Sequence, residues 1–202
     1  IGNLPLAMQP KLLAILEKRA SGDPLDPPQG YDGANATAQA RMRRLACFLI
    51  DRSNEARGSH ETYYIGNQLM GLARYLLTGG PGPSLANPDC AFAPGGDYPS
   101  LIDAIGIMTD ELLANTDASG FFYYTGPPGG STLNQDSSAT QFGVAGISSA
   151  KAVYSNPAYP DPARLAAINT ALTNSKNGYE TYAATGSNHG ASSVIAPFQR
   201  GR

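Results

Sequence analysis

Apolar residues in this chain recur at helical spacing in short blocks, and each block is cut off by glycine, proline or a polar cap. Residues 10–20 place Leu12, Ile15, Leu16 and Arg19 at that spacing, with Pro10 opening the helix and Ser21-Gly22 stopping it. A second helix is predicted over 34–53, with Ala38, Met42, Leu45, Leu49 and Arg52 along one face and Ala46 and Ile50 beside it. Tyr63-Tyr64-Ile65-Gly66 reads as an aromatic entry, Asn67 as the N-cap of a helix through Leu77, and Thr78-Gly79-Gly80 as its end.

Ser100-Leu101-Ile102-Asp103 matches a capping box, followed by a helix to about Ala114 that buries Leu101, Ile105, Met108 and Leu112. After it comes the best-defined stretch, residues 120–154. Phe121 to Tyr124 predicts a short extended piece, because aromatics favour strands, and 126–130 is a Gly/Pro loop. Asp136 or Ser137 caps a helix to about Tyr154, with a predicted stripe of Phe142, Ala145 or Gly146, Ser149 and Val153. The small residues around that stripe suit close approach by another helix. Asp161-Pro162 opens a helix to about Asn174 with Leu165, Ile168 and Leu172 inward, and Lys176-Asn177-Gly178 is expected to turn the chain. Tyr179 to Tyr182 then echoes the aromatic entry, residues 186–190 the polar cap, and residues 191–196 the start of one more helix.

An outer helix, an aromatic entry, a polar cap and an inner helix thus recur, best in 100–154 and again in 161–196. Repeats of this kind bury their faces only by stacking on neighbours. GFFYYTG followed by DSSATQFGVAGISSA resembles the prenyltransferase and squalene-oxidase repeat of terpene-cyclase-like α/α toroids. The resemblance covers residues 100–196 and, more loosely, the N-terminal half. It departs from the family in carrying no Trp, where the family's repeat usually has one. It implies a mainly α fold: an α/α toroid-like array of helix hairpins, long Gly/Pro loops and short extended aromatic entries. A full ring takes more helix pairs than this chain holds, so the expectation is a partial ring in one domain over 1–202. That ring would be completed by the rest of a larger chain or by identical subunits.

Composition trims the functional choices. A length of 202 residues suits one domain with a real core. The net charge of −2 gives no basic face for nucleic acid, and Arg41, Arg43 and Arg44 read as a solvated helix face. The longest apolar run, Leu45 to Ile50, is far short of the ~20 residues of a membrane span. Residues 79–99 are almost half Gly and Pro and form one long loop, a decoration or a flap. Cys47 falls on an apolar helix face and Cys90 in that loop. A bridge between them would tie the loop down and suit an extracellular, periplasmic or cell-surface protein, and two separate buried thiols are the alternative.

The chemistry of the family's enzymes is not matched. The cyclases' Asp-rich motif is absent, and Asp136-Ser137-Ser138 supplies a single carboxylate. Cys47, Cys90, His60 and His189 lack the spacing of zinc ligands, and 79–82 and 126–130 lack the Lys-Ser/Thr of a phosphate loop, so no metal or other cofactor is expected. Tyr124, Tyr182 and His189 remain as candidates for the acid–base chemistry of a polysaccharide lyase, although tyrosines at repeat entries commonly fill gaps between helix pairs. Asn67, Asp136, Ser137, Gln141, Tyr123 and Tyr179 are candidate ligand contacts at the starts of the inner helices, where free N–H groups favour polar or anionic groups. The expected function is a non-catalytic structural or binding module of an exported protein. The alternatives are a carbohydrate-active enzyme and a subunit of an extracellular assembly.

Overall fold

A computed structural model describes residues 30–53, 61–82, 98–124 and 137–185, with side chains as far as Thr181. The predicted helices at 10–20 and 191–196, most of the 79–99 loop, Cys90, His60, Asp136, His189 and the side chain of Tyr182 lie outside the described residues. Within them the protein is mainly helical: α1 (Ala36–Asp51), α2 (Glu61–Leu77), α3 (Leu101–Ala114), α4 (Ser137–Tyr154) and α5 (Pro162–Thr185). The one extended feature among the described residues is an isolated antiparallel bridge between Thr116 and Phe122.

Helix starts follow side-chain chemistry. Asn35 Oδ1 accepts the Ala38 N–H at 2.9 Å, Ser100 Oγ accepts that of Asp103 at 3.2 Å, and Asp161 Oδ1 accepts that of Arg164 at 2.9 Å. Each replaces a partner that a first-turn N–H otherwise lacks. α2 ends where Thr78 Oγ1 donates back to Arg74 O at 2.9 Å and Gly79 takes φ +87°, a left-handed conformation favoured by glycine.

α2 and α4 lie side by side with their first turns adjacent, and this is the most extensive helix pairing among the described residues. α1 packs on α2, α3 on both members of the pair, and α5 on α4 and α3. One continuous core results: Met42, Leu45 and Leu49 from α1, Leu69 and Leu72 from α2, Ile105 and Met108 from α3, and Ile147 and Val153 from α4 are all fully buried. Cys47 is buried on α1.

Three expectations are corrected. Asn67 is no N-cap: α2 begins at Glu61, and Asn67 Nδ2 donates to Tyr63 O one turn back at 2.8 Å. The Gly66 that reads as a boundary is instead the point of closest approach, because a Cβ there would run into the backbone carbonyl of Phe142. The buried stripe of α4 keeps Gly146 and Val153 of the expected one and is otherwise rotated from it. Ala139, Gly143, Gly146, Ile147 and Ala150 are buried, whereas Phe142 and Ser149 are only half-buried. Finally, Lys176-Asn177-Gly178 does not turn the chain, and α5 runs through to Thr185, so Tyr179 is a helix residue and not an entry. Contacts with the preceding loop hold it in register: Ser175 Oγ donates to Gly120 O at 2.6 Å, and Ser119 O occupies the space beside Gly178.

Candidate functional site

Residues 115–124 fold back as a tight loop from the end of α3. Gly120 has φ +82° and lies against the backbone of Asn174, and Tyr123 N–H donates to Asn115 O at 2.8 Å. The loop delivers Phe121 to Tyr124 between the starts of α2 and α4. Phe122 N–H donates to Thr140 Oγ1 at 2.9 Å, while Thr62 donates its N–H to Tyr124 O at 3.1 Å and its hydroxyl to Tyr123 O at 2.5 Å. Asn115 Nδ2 donates to the same Thr62 oxygen at 3.3 Å. Thr62, Asn115 and Thr140 are buried, and with these bonds the polar side chains of this junction are partnered.

On that base stands an aromatic cluster. The Tyr63 ring lies 5.5 Å from Tyr124 and 5.0 Å from Phe142, and its hydroxyl is hydrogen-bonded to Ser138. Phe121 meets Tyr179 edge-on at 5.0 Å, and the Tyr179 hydroxyl donates to Ser137 O at 3.3 Å. Tyr123 donates to Asp117 Oδ2 at 2.9 Å, and Asp117 Oδ1 accepts the Ser119 N–H and hydroxyl. The fold therefore brings Tyr123, Tyr124, Tyr179 and Ser137 of the candidate set to one junction. It leaves Gln141 exposed one residue before Phe142 and turns Asn67 back on its own helix. The hydroxyls of Tyr63, Tyr123 and Tyr179 each have a protein partner, as tyrosines acting as wedges require. Among the described residues no group of His, Cys, Asp and Glu is placed to hold a metal ion.

A second constellation was not legible in the sequence. Arg164 donates Nε and Nη2 to the two carboxylate oxygens of Asp110, at 2.9 and 2.7 Å, and Nη1 to Asp161 Oδ2 at 2.5 Å. Its guanidinium lies 5.3 Å from the Tyr154 ring centroid and over Gly106, where a Cβ would stand 3.2 Å from Nη2. Aspartates 161 and 110 hold the Arg164 cation firmly, Asp110 foremost, and raise its pKa. Arg164 and Asp110 are 54 residues apart, and only the Asp161-to-Arg164 spacing hints at a pair.

Tyr154 is 5 % exposed, and burial pushes its hydroxyl above the ordinary tyrosine value while the Arg164 cation opposes the shift. Such a tyrosine keeps its proton in the fold after the unfolded chain has lost it. The stability it lends is thus complete below about pH 10 and is lost as pH rises through the higher folded value. Tyr154→Phe is expected to flatten that alkaline loss in urea titrations run from neutral pH upward. Equal losses in both proteins would place the effect on other tyrosines.

Comparison with protein-family models, with curated proteins and with solved structures finds no match.

Proposed function

We propose that the chain is a non-catalytic structural or binding module built on terpene-cyclase-like helical repeats. It forms part of an α/α ring in an exported or cell-surface protein, completed by further repeats or by identical subunits. The observation that carries this reading is the engagement of the junction's hydroxyls. Tyr63, Tyr123 and Tyr179 each spend their polar end on holding the loop 115–124 and the helix starts together. The side-by-side α2–α4 pair, with α1, α3 and α5 against it, supports the repeat reading, since successive inner helices of such a ring run next to one another. A Cys47–Cys90 bridge belongs to the same proposal and to an oxidising location.

The test is incubation with polyuronates and neutral glycans while new chain ends are followed. No turnover above the buffer blank is expected. Glycan cleavage that disappears in Tyr124→Phe would replace this reading with the lyase alternative. For the bridge, alkylation of the denatured chain should label no thiol before reduction and two after it. Labelling without reductant would remove the argument for export.

A further inference from the structure

Beside Arg164, between α3 and the segment that joins α4 to α5, lies an open cleft of about 460 Å³. That volume is in the range of small-molecule sites. Three carboxylates line it, Asp103, Asp110 and Asp161, against the single guanidinium of Arg164, so the cleft carries two negative charges in excess. Arg164 turns Nε, Nη1 and Nη2 towards Asp110 and Asp161, so its charge is already matched by carboxylates and offers an anion little. Asp103 is exposed and uses only Oδ2, which accepts the Ser100 hydroxyl at 2.6 Å. Asp103 and Asp110 stand two turns apart on α3, about 10 Å along the axis, too far to share one small ion.

The second observation is Tyr154. It lines the cleft, is 5 % exposed, and its hydroxyl has no hydrogen-bond partner. Thr109 is near enough to influence its titration, but the Thr109 hydroxyl donates to Ile105 O at 2.7 Å and no hydrogen bond joins the two. A buried phenol left unpaired is costly unless something else pairs with it; the buried Gln68 amide on α2 is unpaired too, but it does not line this cleft. Ile102, Ile107 and Tyr159 add apolar wall beside these polar groups.

We propose that this cleft binds a linear organic cation with amino groups spaced to meet Asp103 and the Asp110–Asp161 pair. Its methylene chain lies along the apolar wall, and one polar group reaches the Tyr154 hydroxyl. The cation is either a free polyamine or the lysine side chains of a partner peptide. The site is separate from the aromatic junction and holds whether or not the module reading stands.

Isothermal titration of the full chain at low ionic strength tests this, with spermidine, an oligolysine peptide and inorganic phosphate as probes. Spermidine binding is expected, screened by added salt and weakened about fivefold or more by Asp103→Asn, the loss of one charged contact. Tyr154→Phe should weaken binding while its Tm at neutral pH stays level or rises, which a merely structural hydroxyl would not produce. Binding of oligolysine alone supports the site and assigns the cation to a partner chain. Absence of heat with both amines, affinities unchanged in both variants, or preferential binding of phosphate overturns the proposal.

Discussion

Gly66→Ala is expected to destabilise the protein by about 2–3 kcal/mol, although alanine is the better helix former. In an open helix the exchange would gain up to about 1 kcal/mol. Here the added Cβ meets the carbonyl oxygen and carbon of Phe142, which belong to the backbone of α4 and cannot rotate aside. The helices must separate, and overpacking of that kind costs about 1–3 kcal/mol or more. Gly146 sits at the same crossing, its Cβ position 2.8 Å from Gly66 Cα and from Leu112 Cδ1. Gly146→Ala should therefore be damaging too, and the double variant less than additive, because one separation relieves both clashes. Gly82→Ala is the control: its nearest neighbour is Leu101 Cβ at 4.0 Å, and its midpoint should match wild type. Denaturant midpoints decide the matter, and a Gly66→Ala protein as stable as wild type would show that α2 and α4 are not closely packed there.

Phe122→Ala carries the larger expected loss, about 3–5 kcal/mol. The ring is fully buried and fills the space left by Gly143, whose Cβ would collide with it. The residue's N–H is also fixed to Thr140 Oγ1, so the backbone cannot collapse easily into the cavity. Against a typical total stability of about 5–15 kcal/mol, much of the fold is at stake. Phe122→Leu, which keeps most of the volume, should lose clearly less in the same unfolding experiment. Equal losses would place the cost in the loop backbone and not in the ring.

How much of this was legible in the sequence depends on whether the signal is local. The caps Ser100 and Asp161, the helix over 137–154 and the short extended piece at Phe122 follow from chemistry within a few residues. Gly66-Asn67 carries an equally local start signal and Asn177-Gly178 a turn signal, yet both lie within helices. At Gly66 the reason is a neighbouring backbone, and at Gly178 it is the loop ending at Phe121, neither of which periodicity can report. The same holds for the candidate site. Tyr123, Tyr124 and Ser137 were singled out as repeat-entry and cap residues and do meet at one junction. The partners of the aromatic segment, Thr62 and Asn115 for Tyr123 and Tyr124 and Thr140 for Phe122, are not legible, because a buried threonine or asparagine looks like any other polar residue until its neighbours are known.

Amide hydrogen exchange at Phe122 and Tyr123 tests most directly whether the junction is part of the architecture and not a working loop. Both amides are hydrogen-bonded, to Thr140 Oγ1 and Asn115 O, across the elements they join. If the aromatic segment is the wedge that holds α2 and α4, these amides should exchange only through global unfolding, as slowly as the best-protected amides of the two helices and with the same dependence on denaturant. Exchange orders of magnitude faster and independent of denaturant, with α2 and α4 still protected, would contradict this and make residues 121–124 a loop that opens on its own.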